Sequence, residues 1–140
     1  MSEQPTVLLI EDEKVLVDMY RQVFERYSKY NLLTANDKTA GRDLAIKHLP
    51  DVVLLDLIIP EEANGDVSYQ DRVGFDLLEE IRQHPKAAKL LVFIFSNIDT
   101  HEDRMRSDQL GAAEYLLKAE YSPERLIKKL NTALKKNSRS

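Results

Sequence analysis

Apolar residues follow two rhythms along the chain. Continuous runs at 7–10, 52–55 and 90–95, and a weaker one at 114–117, contain mostly Val, Ile, Leu and Phe, and each ends in polar residues. Such runs, without polar alternation, suit strands of a parallel sheet covered on both faces. A shorter segment at 31–35 is a further strand candidate. Between these runs the apolar positions recur at three- and four-residue steps, as helices require. The clearest stripe is Val15, Leu16, Met19, Tyr20, Val23, Phe24 and Tyr27.

The other helices are marked by their ends. A helix over 38–48 has Asp37 as N-cap and stops before Pro50, since the residue preceding a proline disfavours helix. One over 75–82 places Leu77, Leu78 and Ile81 on one face and stops before Pro85. A fourth starts at Thr100, a candidate cap with Asp103 three residues on, and ends at Gly111. The fifth begins with Ser122 as N-cap, Pro123 in first position and Glu124 in the first turn, followed by Leu126, Ile127, Leu130 and Leu134.

Five βα units in succession predict an α/β fold: a doubly wound, five-stranded parallel sheet of order 2-1-3-4-5, flavodoxin-like, with helices on both faces. In such sheets the ligand crevice lies beyond the carboxyl ends of the strands, where the winding reverses between strands 1 and 3. A length of 140 residues fits a single domain with a core at about 6–136. The net charge of −4 offers no global basic field for a nucleic-acid backbone, so no direct nucleic-acid binding is expected. The absence of cysteine excludes disulfides and thiolate chemistry and is compatible with a reducing cytoplasm. Residues 1–6 lack the pattern of a signal peptide, and no apolar run approaches the ~20 residues of a membrane helix.

The polar residues that follow the strands carry the chemistry. Strand 1 runs into Glu11, Asp12 and Glu13, and strand 3 ends in Asp56. Crowded into one crevice, Glu11, Asp12 and Asp56 would repel strongly without a cation. Few protein ligands and room for water favour Mg²⁺. Taken alone, residues 11–13 also suit a helix start, where acidic side chains oppose the dipole. Strand 4 ends in Ser96 and Asn97 and strand 5 in Lys118, so a hydroxyl and an ammonium arrive at the same edge. Both suit a phosphoryl oxygen, although each alone could be an ordinary strand-end or surface residue. His48, His84 and His101 are scattered over predicted helices or their ends and are read as surface residues.

With these motifs in order, VLLIEDE at 7–13, DVVLLDLIIP at 51–60, LVFIFSN at 91–97 and GAAEYLLKAEYSPERL at 111–126, the chain resembles the response-regulator receiver domains of bacterial two-component systems. The resemblance implies that Asp56 accepts a phosphoryl group from a phosphohistidine donor, a sensor histidine kinase or a histidine phosphotransfer protein. It implies a Mg²⁺ site, with Mn²⁺ as a substitute, made by Glu11, Asp12, Asp56 and the backbone carbonyl of Ile58. Lys118 and Ser96 would hold the phosphoryl oxygens. Ser96 and Tyr115 would form the switch that moves the helix 4, strand 5 and helix 5 face for protein–protein output, possible dimerisation included. No output domain is expected within these 140 residues. Receivers are signalling modules whose only catalysis is their own phosphorylation and dephosphorylation.

Three departures stand out. The expected glycine after Pro60 is Gly74, so residues 61–73, EEANGDVSYQDRV, form a segment about ten residues longer than the family pattern. A loop of this length beside a site is often functional, and the reading is that it overhangs the acceptor and filters donors. Lys118 is followed by Ala119, where the family usually has a cis-proline, so the loop either stores strain or takes another path. Ile58 and Ile98, near the water's approach, predict slow self-dephosphorylation because neither can position a nucleophile.

Rival readings fit less of the chain. A degenerate receiver, working as a phosphorylation-independent protein-binding module, would not need Glu11, Asp12, Asp56, Ser96 and Lys118 together. A metal-dependent phosphatase would want a second acid where Ile58 stands. A nucleotide-binding enzyme would want a Gly-rich first turn, which here reads IEDEK.

Overall fold

The computed structural model describes residues 4–137, with side chains to 135. Five strands, β1 (Thr6–Ile10), β2 (Asn31–Ala35), β3 (Val52–Leu55), β4 (Val92–Ser96) and β5 (Glu114–Leu117), alternate with helices α1 (Lys14–Tyr27), α2 (Lys38–His48), α3 (Val73–Gln83), α4 (His101–Gln109) and α5 (Pro123–Asn137). A 3-10 turn over Lys118–Glu120 separates β5 from α5. All the strand pairings are parallel, in the order β2-β1-β3-β4-β5, as the pattern of apolar runs predicts.

The continuous apolar runs are explained by a core on each face of the sheet. Leu8, Ile10, Val53, Leu55 and Ile94 point to one face and pack against Ala45 of α2 and Leu77 and Ile81 of α3. Their neighbours Val7, Leu9, Leu54, Phe93 and Phe95 point to the other, against Tyr20 and Phe24 of α1 and Leu126 and Leu130 of α5. Successive strand residues thus feed opposite cores, and every position must be apolar. None of the described helices is long and apolar enough to cross a membrane.

Most boundaries fall within two residues of the expected ones. Asp37 caps α2 by accepting the Ala40 N–H at 2.8 Å, and Thr100 caps α4 by accepting the Asp103 N–H at 3.0 Å. Gly111 stands beyond α4 with φ of 77°, the left-handed conformation that favours glycine after a helix. The face of α1 differs from the expected stripe. Its buried residues are Val17, Tyr20 and Phe24, whereas Val15, Met19 and Tyr27 are exposed, because the helix presents the 17–20–24 line to the sheet. α5 runs as far as Asn137, and residues 138–140 lie outside the described residues.

Candidate functional site

Parallel register decides which side chains meet. Ile10 lies opposite Leu55, so Glu11 and Asp56 leave adjacent strands side by side. The Asp56 N–H donates to the Ile10 carbonyl at 3.1 Å and extends that ladder. Ser96 lies opposite Leu117, which delivers Lys118 to the same edge of the sheet. Gly74 closes the floor beneath Asp56: a Cβ there would collide with the Asp56 carbonyl oxygen and the Leu57 Cα, so α3 approaches this strand end only with glycine.

Glu11, Asp12 and Asp56 each bring a carboxylate oxygen to within 4.8 Å of the others. Lys118 Nζ donates to Asp56 Oδ2 at 2.8 Å and is ion-paired with Glu11 Oε1. The Ile58 N–H donates to Asp56 Oδ1 at 3.3 Å, and the Ile58 carbonyl accepts no hydrogen bond among the described residues. Glu11 Oε2 accepts the Glu13 N–H at 3.1 Å, and Glu13, the residue before α1, makes no side-chain cap to the helix. Three carboxylates thus cluster around one ammonium, which pairs with two of them.

That imbalance shows in the proton affinities. Burial, and then the Asp56 charge, push Glu11 up to about 7, against the opposing pull of Lys118. Burial also raises Asp12, with Asp56 and Glu13 adding to it. For Lys118, burial works against the charged form, but Asp56 and Glu11 outweigh it and hold the ammonium above the usual lysine range. Although Glu11 Oε1 is paired with Lys118 by proximity, it makes no directed hydrogen bond and is buried. Three clustered carboxylates with one ammonium among them keep an excess of negative charge in an all-oxygen donor set, which fits a hard divalent cation.

The remaining expected residues gather around the β4–α4 loop. Ser96 is buried at the sheet edge, and its Oγ accepts the Ile98 N–H at 3.2 Å, making no hydrogen bond to the carboxylates or to Lys118. The half-buried Tyr115 donates its hydroxyl to the Ile98 carbonyl at 2.6 Å, and the Arg104 guanidinium lies 4.7 Å from its ring centre. Burial, then the charge of Asp103, pushes Tyr115 up to about 12, so the hydroxyl keeps the proton it donates. The peptide between Lys118 and Ala119 is trans, as are all described peptides. Of the two paths open after Lys118, the chain takes the changed one, into the 3-10 turn, and Lys118 still reaches both carboxylates.

The long segment at 61–72 is anchored to its flanks. Its start is held by α2, where the Thr39 N–H and hydroxyl both donate to the Glu61 carbonyl at 3.0 Å and Lys38 pairs with Glu61 and Glu80. Its end is held by α4: Arg72 Nε donates to Asp103 Oδ1 at 3.1 Å while Arg72 Nη1 donates to the Tyr69 carbonyl at 2.6 Å. None of its hydrogen bonds or ion pairs reaches Glu11, Asp12, Asp56, Ser96 or Lys118. An open cavity of about 540 Å³ lies between the segment, α3 and α4, lined by Asp66, Asp71, Asp76, Glu102 and Arg106 among others.

Two contacts escaped sequence reasoning. Asn97 Oδ1 accepts the Ala119 N–H at 3.0 Å, joining the β4–α4 and β5–α5 loops. The available signal was a polar residue after Ser96 together with a residue bearing an N–H after Lys118. Arg72–Asp103 spans 31 residues and left no local signal.

Residues 7–131 match the family model described as the response regulator receiver domain. A probable transcriptional regulatory protein, TcrX, of Mycobacterium tuberculosis is 30% identical over 94% of this chain, which covers 50% of that protein. The nitrate/nitrite response regulator protein NarL of Escherichia coli is also 30% identical, over 94% of this chain and 55% of its own length. This chain therefore spans about half the length of the curated relatives it matches. Among solved structures, the receiver domain of Francisella response regulator 1452 superposes with a TM-score of 0.76 at 25% identity, covering 96% of this chain and 99% of that one. The non-phosphorylated HemR receiver domain of Leptospira biflexa gives 0.74 at 27%, covering 94% of each. With its sheet order, its clustered carboxylates and a family match over most of its length, the chain belongs to the response regulator receiver domains of two-component systems.

Proposed function

We propose that Asp56 accepts a phosphoryl group from a phosphohistidine, presented by a sensor histidine kinase or a histidine phosphotransfer protein in the cytoplasm. The observation that carries this reading is the single ammonium of Lys118 held between Asp56 and Glu11, inside a cluster of three carboxylates. A carboxylate oxygen of Asp56 attacks phosphorus, the P–N bond breaks, and the histidine nitrogen leaves with the electron pair and takes up a proton. The product is a mixed anhydride on Asp56. Glu11, Asp12, Asp56 and the Ile58 carbonyl would hold a Mg²⁺ ion, or Mn²⁺ in its place, which would supply positive charge to the phosphoryl oxygens.

Lys118 already donates to Asp56 and needs little movement to follow the new charge onto a phosphoryl oxygen. Ser96 Oγ, released from the Ile98 N–H, gives a second donor. That release loosens the loop whose carbonyl Tyr115 holds, and the disturbance passes to the face of α4, β5 and α5, where a protein partner or a second copy is recognised. This chain covers 50% of the relative named as a probable transcriptional regulatory protein, and in a protein of that kind the same face would control a separate output unit.

Acetyl phosphate with Mg²⁺, followed by intact mass, tests the reading. The wild type should gain one phosphoryl group, Asp56→Asn should gain none, and Asp12→Asn should lose most of the Mg²⁺ dependence. An adduct that persists in Asp56→Asn sinks the assignment. For a wild type inert to acetyl phosphate, the same masses are read after incubation with a phosphorylated histidine phosphotransfer protein, and no transfer there refutes it.

A further inference from the structure

Lys118 is a long, rotatable side chain on the first residue of a turn, yet its ammonium has to sit between two buried carboxylates. Something must hold the backbone from which it springs. β5 ends at Leu117, and the chain enters the 3-10 turn at once. Within that turn the Tyr121 N–H donates to the Lys118 carbonyl at 3.2 Å, and Arg125 Nη1 donates to the Glu120 carbonyl at 2.5 Å. These contacts tie the turn to itself and to α5. The contact next to Lys118 that reaches back across the sheet edge is the Ala119 N–H, given to Asn97 Oδ1 at 3.0 Å.

Asn97 is itself well held. It follows Ser96, the last residue of β4, and the next residue is fixed at both ends of its peptide, since the Ile98 N–H donates to Ser96 Oγ and the Ile98 carbonyl accepts from Tyr115. Two braces therefore run between the β4–α4 loop and the β5 end of the sheet, one from the Tyr115 hydroxyl and one from the Ala119 N–H. They bracket Lys118 in sequence, and the second lies one peptide from its Cα.

We infer that Asn97 is a positioning residue for Lys118: its amide oxygen fixes the peptide that follows Lys118 and so sets where the ammonium sits against Asp56 and Glu11. The chemical consequence rests on the reading of Asp56 as phosphoacceptor, whereas the geometric one does not. Asn97 is exposed and its bond is between neutral groups, so its removal should cost the fold little and the alignment more.

The test compares wild type with Asn97→Ala by two readouts. The first is the ¹⁵N–¹H signal of the Lys118 ammonium at low temperature, assigned through its disappearance in Lys118→Ala. Held between carboxylates in the wild type, the signal should be visible, and in Asn97→Ala it should be lost to exchange with water. A signal retained in Asn97→Ala, or absent from the wild type, overturns the inference whether or not Asp56 is ever phosphorylated. The second is the rate of loading by acetyl phosphate with Mg²⁺. Asn97→Ala should slow it about two- to tenfold, the range a single net hydrogen bond commands. In a Lys118→Ala background the same substitution should have no further effect. Unchanged loading, or equal slowing in both backgrounds, contradicts a role exerted through Lys118. A wild type that takes up no phosphoryl group refutes only the reading of Asp56, and the ammonium signal then decides the inference alone.

Discussion

Helices α3 and α4 follow one another around β4, yet different forces hold them. α3 buries Val73, Phe75, Leu77, Leu78 and Ile81 against the sheet and presses Gly74 onto the backbone of Asp56. In α4 the buried residues are Asp103 and Ser107, and its one large apolar side chain, Met105, is half exposed. Polar contacts hold α4, several of them made by arginines. Arg72 takes Asp103 at its start, Arg106 pairs with Glu79 of α3, and Arg82 of α3 donates to the Leu110 and Gly111 carbonyls at its end, at 3.0 and 2.9 Å. A buried leucine contributes about 1.5–3 kcal/mol and has no substitute for its cavity. A hydrogen bond nets about 1 kcal/mol and can be exchanged for one to water. The helix that floors Asp56 is fixed, and its neighbour is held by contacts that a modest change at the site could redistribute.

The largest effect that sharpens this contrast is in α3. Leu77→Ala, which empties a fully buried position, should cost about 2–5 kcal/mol in urea unfolding, whereas Met105→Ala in α4 should stay within about 0.5 kcal/mol. Equal losses would break the comparison. Next comes Arg82→Ala, which strips a donor from the carbonyls of Ala88, Leu90, Leu110 and Gly111 and should cost about 2–3 kcal/mol by the same measurement. Arg72→Ala should cost less, about 1–2 kcal/mol, because the pair it breaks is partly open to solvent. Its effect should appear locally, as faster amide exchange at the start of α4 with α3 unchanged. The smallest expected effect is kinetic. Ile98→Glu should shorten the lifetime of the phosphorylated form severalfold by giving water a base, and a lifetime no shorter, with the wild type already short-lived, would contradict the slow-switch reading.

The elements held by apolar burial were legible in the sequence. Runs such as 52–55 name a parallel strand because each residue faces a core, and caps such as Asp37 and Thr100 announce helix starts by satisfying free N–H groups. The convergence of Glu11, Asp12, Asp56 and Lys118 followed once strand order was known, since register alone brings strand ends together. The path after Lys118 and the anchoring of the long 61–72 segment were not legible. They depend on single polar contacts between distant residues, Asn97 with Ala119 and Arg72 with Asp103, which leave no periodic trace. The α1 stripe misled for a related reason: Val15 and Met19 have the right spacing for a buried face, but the sheet selects the line of Val17, Tyr20 and Phe24.

Mapping the modified residue tests the acceptor most directly. Borohydride reduces an acyl phosphate to an alcohol, so treating the loaded protein and sequencing its peptides by mass spectrometry should find homoserine in place of Asp56, and only in the sample given both acetyl phosphate and Mg²⁺. Homoserine at Asp12 or at any other aspartate, with Asp56 intact, would contradict the assignment.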